Sequence, residues 1–296
     1  MTSEITLFVN RTAGSGRGAR AARPAASALR DVGFCVRTVL GEDADDALRR
    51  AREAVTAGTG ALIAVGGDGM MSLALQTVAG TATPLGAVAV GTGNDFARAL
   101  GLPVRDPAAA GRLAAEALKA GTVRTIDLGR VGERWFGSVL ASGFDSRVND
   151  RGNRMRGVGG RFKYDLAILA ELAAFRPIPY RVRLDGGPVT ELEATLIAVG
   201  NGTTYGGGMR ICADAVMDDG LLDVTVVGDC SRATLLKVFP KVYRGTHLEH
   251  PKVTVHRVSS IELAAAGATA YADGEPFGAL PVRATCVTGA VRVLAA

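Results

Sequence analysis

Short aliphatic runs that end in glycine turns recur early in this chain, and each turn carries a polar side chain fit for phosphate chemistry. Ile63-Ala64-Val65 leads into Gly66-Gly67-Asp68-Gly69 and then Met70-Met71-Ser72. A buried strand entering a glycine turn and a helix exposes backbone N–H groups and the positive end of the helix dipole, a site for phosphate oxygens. Asp68 beside a polyphosphate would help organise Mg²⁺, since hard cations choose oxygen ligands. An ordinary turn with an N-capping Asp is the alternative. The segment after Gly86–Val90 repeats the pattern, with Gly91, Thr92, Gly93, Asn94 and Asp95 opening Phe96-Ala97-Arg98. A third loop, Asn10, Arg11, Thr12, Ala13, Gly14, Ser15 and Gly16, follows the first strand. Three loops at one sheet edge could surround one nucleotide, although none has the form of a Walker A loop or of the dinucleotide fingerprint.

The elements that must hold these loops follow an α/β rhythm. Ile5–Asn10, Phe34–Leu40, Ala61–Val65 and Gly86–Val90 read as strands, and Arg20–Val32, Ala44–Ala57 and Met70–Val78 as helices. Short buried strands alternating with helices imply a parallel sheet. From about Ile126 the rhythm changes: Arg124–Arg130, Arg134–Ala141, Tyr180–Leu184, Glu193–Gly200 and Leu222–Val227 read as strands, interrupted by an amphipathic helix over Lys163–Phe175. The expected organisation is an α/β domain over residues 1–125 and a β-rich, sandwich-like domain over 126–296, with the active site in the cleft between them and the last residues returning to the first domain.

Composition limits the partners. The 296 residues are 48% hydrophobic and 5% aromatic, enough apolar side chain to exclude a disordered chain. A net charge of +5 suits phosphate, nucleic acid or an anionic membrane. The absence of a stacked-aromatic RNA motif, zinc finger or compelling helix-turn-helix argues against nucleic acid. Cys35, Cys212, Cys230 and Cys286 are scattered, which suits a reduced, cytoplasmic setting. The N-terminal sequence lacks the layout of a signal peptide and no apolar run approaches spanning length, so the chain is expected neither to be secreted nor to cross a membrane. Self-association into a homodimer is left open.

The segments Asn10–Gly14, Gly66–Gly69 and Gly91–Arg98 resemble the nucleotide-binding motifs of the diacylglycerol kinase catalytic-domain family. The resemblance continues in order through Ala141–Asp145, Asn201-Gly202, Tyr205–Met209, Asp218–Asp223 and Asp273-Gly274-Glu275. It implies an ATP- and Mg²⁺-dependent kinase that phosphorylates a hydroxyl of a membrane lipid, with diacylglycerol the leading acceptor and the chain held peripherally at the membrane. Asn10–Gly14, Gly66–Ser72 and Thr92 would line the ATP site. Glu275 would be the base that accepts the lipid hydroxyl's proton, and Asp273, read as lying on the same side of an extended segment, could help hold metal or substrate. Asp219 would hold a structural Mg²⁺ together with backbone carbonyls at Val216 and Leu221. Met70 and Arg11 depart from the family, which commonly has Thr and Pro at these positions. Two other functions remain as alternatives: an NAD kinase-like enzyme, which shares the Gly-Gly-Asp-Gly turn, and a catalytically silent nucleotide- and lipid-binding sensor.

Two basic stretches bear on the lipid. Arg151, Arg154, Arg156, Arg161 and Lys163 precede the expected helix, and Arg232 to Arg257 holds Lys237, Lys241, Arg244 and Lys252 with Glu249 as its single acid. Each cation near an anionic bilayer can add ~1 kcal/mol of attraction, and a plain solvated basic face is the alternative. His247, His250 and His256 lack a Cys or carboxylate at zinc spacing and read as surface or packing histidines.

Overall fold

Aliphatic runs of five or six residues are too short for stable helices, and where both faces are buried they form parallel strands. The structure, a computed structural model, describes residues 4–9, 17–143 and 177–295. Asn10, Arg11, Thr12, Ala13 and Gly14 lie outside the described residues, as do the Arg151–Lys163 cluster and the helix expected over Lys163–Phe175.

Four parallel strands, β1 (Glu4–Val9), β2 (Cys35–Leu40), β3 (Leu62–Gly66) and β4 (Leu85–Ala89), pair in the order β2-β1-β3-β4. Their side chains alternate between two cores. On one face Ile5, Leu7, Ile63, Val65 and Val88 meet Ala25 and Leu29 of α1 (Arg17–Asp31) and Ala114 and Leu118 of α5 (Pro107–Ala120). On the other, Phe8, Leu62 and Ala64 meet α2 (Ala44–Thr56), α3 (Asp68–Val78) and α4 (Asp95–Ala99) through Ala51, Leu75 and Phe96. Each fully buried Leu, Ile or Phe contributes about 1.5–3 kcal/mol relative to exposure. Small residues let the helices close together: a Cβ on Gly111 of α5 would stand 2.6 Å from the Ala25 Cα of α1.

The second half is antiparallel. Strands β5 (Arg124–Val131), β6 (Arg134–Phe136), β7 (Val139–Gly143), β8 (Ile178–Leu184), β9 (Val189–Gly200), β10 (Leu222–Gly228), β11 (Val253–Val258), β12 (Ser260–Ala264), β13 (Thr269–Ala272), β14 (Glu275–Ala279) and β15 (Val282–Val293) enclose Phe136, Tyr180, Ile197, Val224, Ile261 and Phe277. Among the described residues one α-helix, α6 (Arg232–Val242), packs outside this layer. The long β15 pairs with β12 and β5 and then reaches back, setting Val293 parallel to Leu85 of β4. The fold is thus an α/β layer with a parallel sheet continued by a β-sandwich-like layer.

Two expectations are corrected. Arg134–Ala141 is not one strand but β6 and β7, because the Gly137 and Ser138 N–H groups both donate to the Asp273 carboxylate (2.8 and 2.9 Å) rather than to a neighbouring strand. Asp273-Gly274 is not extended: it is the two-residue turn between β13 and β14, with φ of 51° and 84°. Positive φ at both central residues is the type I′ pattern that Asp-Gly favours.

Candidate functional site

The first two glycine loops meet backbone to backbone. A Cβ on Gly91 would stand 2.4 Å from the Gly67 Cα, so only glycine at that position permits this approach. Asp68, the first residue of α3, does not cap its own helix. Its two carboxylate oxygens accept from the Asn94 and Asp95 N–H groups, each at 2.7 Å, and so cap α4 instead. Asn94 supports this from a left-handed conformation (φ 62°), accepting from the Gly91 N–H and donating to the Gly91 carbonyl.

Asp95 repeats the wiring one step on. Its carboxylate accepts from the Gly207 and Gly208 N–H groups, both at 2.8 Å, and so ties the Tyr205–Met209 loop of the β-rich half to the nucleotide-type loops. Burial pushes Asp95 up to about 6; the glycine N–H bonds oppose this and the Asp68 charge adds to it. Asp273 behaves alike: burial pushes it up to about 6 against the Gly137 and Ser138 N–H bonds, with the Asp68 charge again raising it. Asp68, Asp95 and Asp273 therefore share one field. Glu275, exposed at the start of β14, directs Oε1 to within 3.3 Å of where a Gly69 Cβ would sit, facing the first turn of α3.

The carbonyls of the second loop turn away from this centre. Arg105 Nη2 donates to the Thr92 carbonyl at 2.8 Å, Arg105 Nε reaches the Gly91 carbonyl at 3.4 Å, and Arg98 Nε donates to the Gly93 carbonyl at 2.9 Å. The Thr92 and Gly93 N–H groups have no partner among the described residues. Unpaired N–H groups beside glycine form an anion-binding concavity. A cleft of about 560 Å³, lined by Arg20, Val90, Gly91, Thr92, Arg105 and Pro107, opens beside it. Met70 and Met71 are buried in the core below α3, so Met70 takes no part in the polar surface, and Ser72 is buried with them.

The structure thus gathers Gly66, Gly67, Asp68, Gly69, Thr92, Gly93, Asn94, Asp95, Asp273 and Glu275 at one place. Asp219, Val216 and Leu221 lie elsewhere, before β10. There Asp219 accepts from its own Leu221 N–H and pairs with Arg257. Asp223 is 2% exposed, its Oδ2 has no hydrogen bond, and Arg257 Nε stands 3.8 Å away. Burial pushes Asp223 up to about 6, Arg257 opposing and Asp219 and Asp214 reinforcing. Among the described residues no three Asp, Glu, His or Cys side chains form a ready-made ligand set. His247 is fully buried and bonds the Ile211 carbonyl.

Three polar residues that organise the site or the Asp219 loop were not singled out from the sequence. Arg105 is a non-glycine residue at φ 61° with no local signature. Asp127 receives the Gly220 and Gly289 N–H groups at 2.7 and 2.8 Å; its signal is a charge between the buried Ile126 and Leu128. Gln76 pairs with both backbone groups of Trp135, joining α3 to β6.

This arrangement of glycine loops, N–H groups and a facing carboxylate defines a phosphoryl-transfer fold, and comparison with known proteins narrows it. Residues 4–131 match the diacylglycerol kinase catalytic domain, and residues 138–295 match the YegS C-terminal NAD kinase beta sandwich-like domain. The chain is 43% identical, over 98% of its length and 94% of the relative's, to a diacylglycerol kinase of Mycobacterium tuberculosis. It is 35% identical, over 84% and 82%, to a protein of Stenotrophomonas maltophilia named "Probable lipid kinase YegS-like". A crystal structure of a diacylglycerol kinase from Bacillus anthracis superposes with a TM-score of 0.76 at 21% identity, covering 99% of this chain and 97% of that one. An ATP-bound NAD kinase from Archaeoglobus fulgidus gives 0.54 at 14%, covering 98% and 92%. The chain belongs to the diacylglycerol kinase catalytic domain family and is a lipid kinase. No helix among the described residues is long and apolar enough to cross a membrane.

Proposed function

We propose that this kinase transfers the γ-phosphoryl group of ATP to the free hydroxyl of diacylglycerol, giving phosphatidic acid, with Mg²⁺ as cofactor and the acceptor presented from a membrane surface. The observation that carries the reading is Glu275 facing the first turn of α3, across from the convergence of Asp68 with the Thr92–Asp95 loop.

The N–H groups of Thr92 and Gly93 and the first turn of α3 cradle phosphate oxygens, with Asn10–Gly14 contributing from the third loop. Glu275 accepts the acceptor hydroxyl's proton as its oxygen bonds to phosphorus and the bridging oxygen leaves with ADP. Asp273 acts through position: by gripping Gly137 and Ser138 it fixes the turn that presents Glu275. Asp95 likewise fixes the Tyr205–Met209 loop.

The residues fit a divalent cation in two places. At the transfer site Asp68 keeps a free lone pair on each oxygen and raises both Asp95 and Asp273 by its charge, so a cation held by one carboxylate and substrate phosphates suits it. At the second place the orphaned Asp223 oxygen beside Asp219 marks excess negative charge near the carbonyl-bearing positions Val216 and Leu221. Bound Mg²⁺ would neutralise developing phosphate charge at the first and tie the loop at the second.

Phosphate transfer from labelled ATP to dispersed short-chain diacylglycerol, to NAD and to water alone decides among the readings. Diacylglycerol should be the acceptor, and Glu275→Gln should lower kcat 10²–10⁴-fold, on the scale of losing general-base catalysis, with Tm unchanged because the side chain is exposed. Transfer to NAD in preference would overturn the proposal.

A further inference from the structure

Helix α6 presents two parallel ridges to solvent. Leu236, Pro240 and Tyr243 recur at i, i+4 and i+7, and Lys237, Lys241 and Arg244 recur at the same spacing one position on; all six are exposed. The helical backbone continues through Tyr243 (φ −63°, ψ −24°), so both series stay in line. Leu236 is 55% exposed and Tyr243 40%, while Val238 is buried and Leu235 and Val242 join the core cluster of Val139, Ala198 and Ile211. No acid lies between Asp229 and Glu249, a span that holds Arg232 and the three ridge cations. An exposed apolar ridge flanked by lysine and arginine is the pattern of a helix lying in a bilayer interface, its apolar side chains among the acyl boundary and its cations at lipid phosphates.

We infer that this face of α6 is the docking surface for an anionic phospholipid bilayer, and that docking orients the cleft toward it. The inference rests on reading the acceptor as a membrane lipid. The helix is coupled to the site by a short path: the Arg210 N–H donates to the Val242 carbonyl, and Arg210 directly follows the Tyr205–Met209 loop that Asp95 grips. A bilayer seated on α6 therefore lies one loop away from the convergence of Asp95, Asp68 and Gly93.

The test is flotation of the full chain with phosphatidylcholine vesicles, with and without phosphatidylglycerol, together with turnover on dispersed short-chain diacylglycerol. The wild type should bind the anionic vesicles and release as salt rises. The triple variant Lys237→Glu, Lys241→Glu, Arg244→Glu should bind more than a hundredfold more weakly, at roughly fivefold per cation removed. Leu236→Ser should weaken binding severalfold at every salt concentration, and Leu236→Trp should show blue-shifted emission only with anionic vesicles. All should melt like the wild type and retain turnover on dispersed lipid. Unchanged vesicle binding in the triple variant and in Leu236→Ser overturns the docking surface while leaving the kinase reading intact. Absence of turnover on any lipid, with vesicle binding as described, overturns the kinase reading instead. Concentration-dependent dimerisation abolished by the same substitutions, with vesicle binding unaffected, makes the face a contact between two copies of this chain and overturns the inference.

Discussion

Asp95 and Asp223 are both buried carboxylates that burial pushes up to about 6, yet they are wired in opposite ways. Asp95 gives both oxygens to backbone N–H groups, those of Gly207 and Gly208, and Asp68 and Asp273 share this two-handed grip. Asp223 leaves one oxygen without a hydrogen bond, and the cation nearest to it, Arg257, is engaged with Asp219. A carboxylate with both oxygens on N–H groups shapes backbone, even where, as at Asp68, lone pairs are left for a cation; one without such bonds near other acids has its charge left over. The loops around Gly66–Asp95 are thus held by their acids, and the loop before β10 has acidity to spare.

The sharpest way to break this comparison is to neutralise each carboxylate at constant shape. Asp95→Asn replaces one acceptor oxygen with an NH₂ that faces a glycine N–H, so a glycine donor loses its acceptor and the new amide N–H of a buried side chain faces another donor. Unfolding experiments should show a loss of about 1–3 kcal/mol, with turnover falling as the Tyr205–Met209 loop slackens. Asp223→Asn should cost little without divalent cation, since no hydrogen bond to Oδ2 is lost. A loss at Asp223 as large as that at Asp95 would remove the distinction.

A smaller effect tests the second cation place. Mg²⁺ should raise the Tm of the wild type by mass action on the folded state. Asp219→Ala should lower the starting Tm and abolish that rise, whereas Glu275→Gln should keep it. An Asp219→Ala variant with the wild-type Mg²⁺ response would place the stabilising ion elsewhere.

Local patterns made the first half of the fold legible. Ile63–Val65 followed by Gly-Gly-Asp-Gly states strand, turn and helix within a few residues, and the four parallel strands occur where such runs lie. Helix α5 carries equally local signals, with Asp106 capping the Ala109 N–H, Pro107 at its start and Gly121 at its left-handed end. The later strands were harder to read. β11 buries only its two ends and β14 contains Pro and Gly, so neither alternates; each is defined by the strand it pairs with. The same holds for the site: its glycine loops can be read from sequence, but which N–H each Asp grips cannot, because Asp127 reaches Gly289 and Asp273 reaches Gly137, 162 and 136 residues away. Asp273-Gly274 carries a local hairpin signal, an Asp-Gly pair between strands, although the expectation there is of an extended segment.

The smallest expected effect is in the pH dependence, where stability and activity should move in opposite directions. Asp273 sits at about 6 when folded against the ordinary aspartate value of 3.8, so between these values the folded chain binds more protons than the unfolded one. Its contribution to stability is therefore fully present below about 3.8 and is lost as pH rises through about 6. Activity should run the other way. Protonation places an O–H where an N–H bond was accepted and loosens the turn that carries Glu275, so kcat/KM should fall on the acid side with a midpoint near 6. That profile reports the free enzyme, and kcat reports the substrate complex. Because the Asp68 charge helps to raise Asp273, MgATP, which brings further net negative charge beside Asp68, should move the kcat midpoint above that of kcat/KM. Asp223→Asn should leave both midpoints in place, since its carboxyl belongs to the other loop, while Asp273→Asn should remove the limb and lower the plateau. Coincident midpoints in kcat and kcat/KM would show that Asp273 does not feel the charge at Asp68, and would confine its role to the turn.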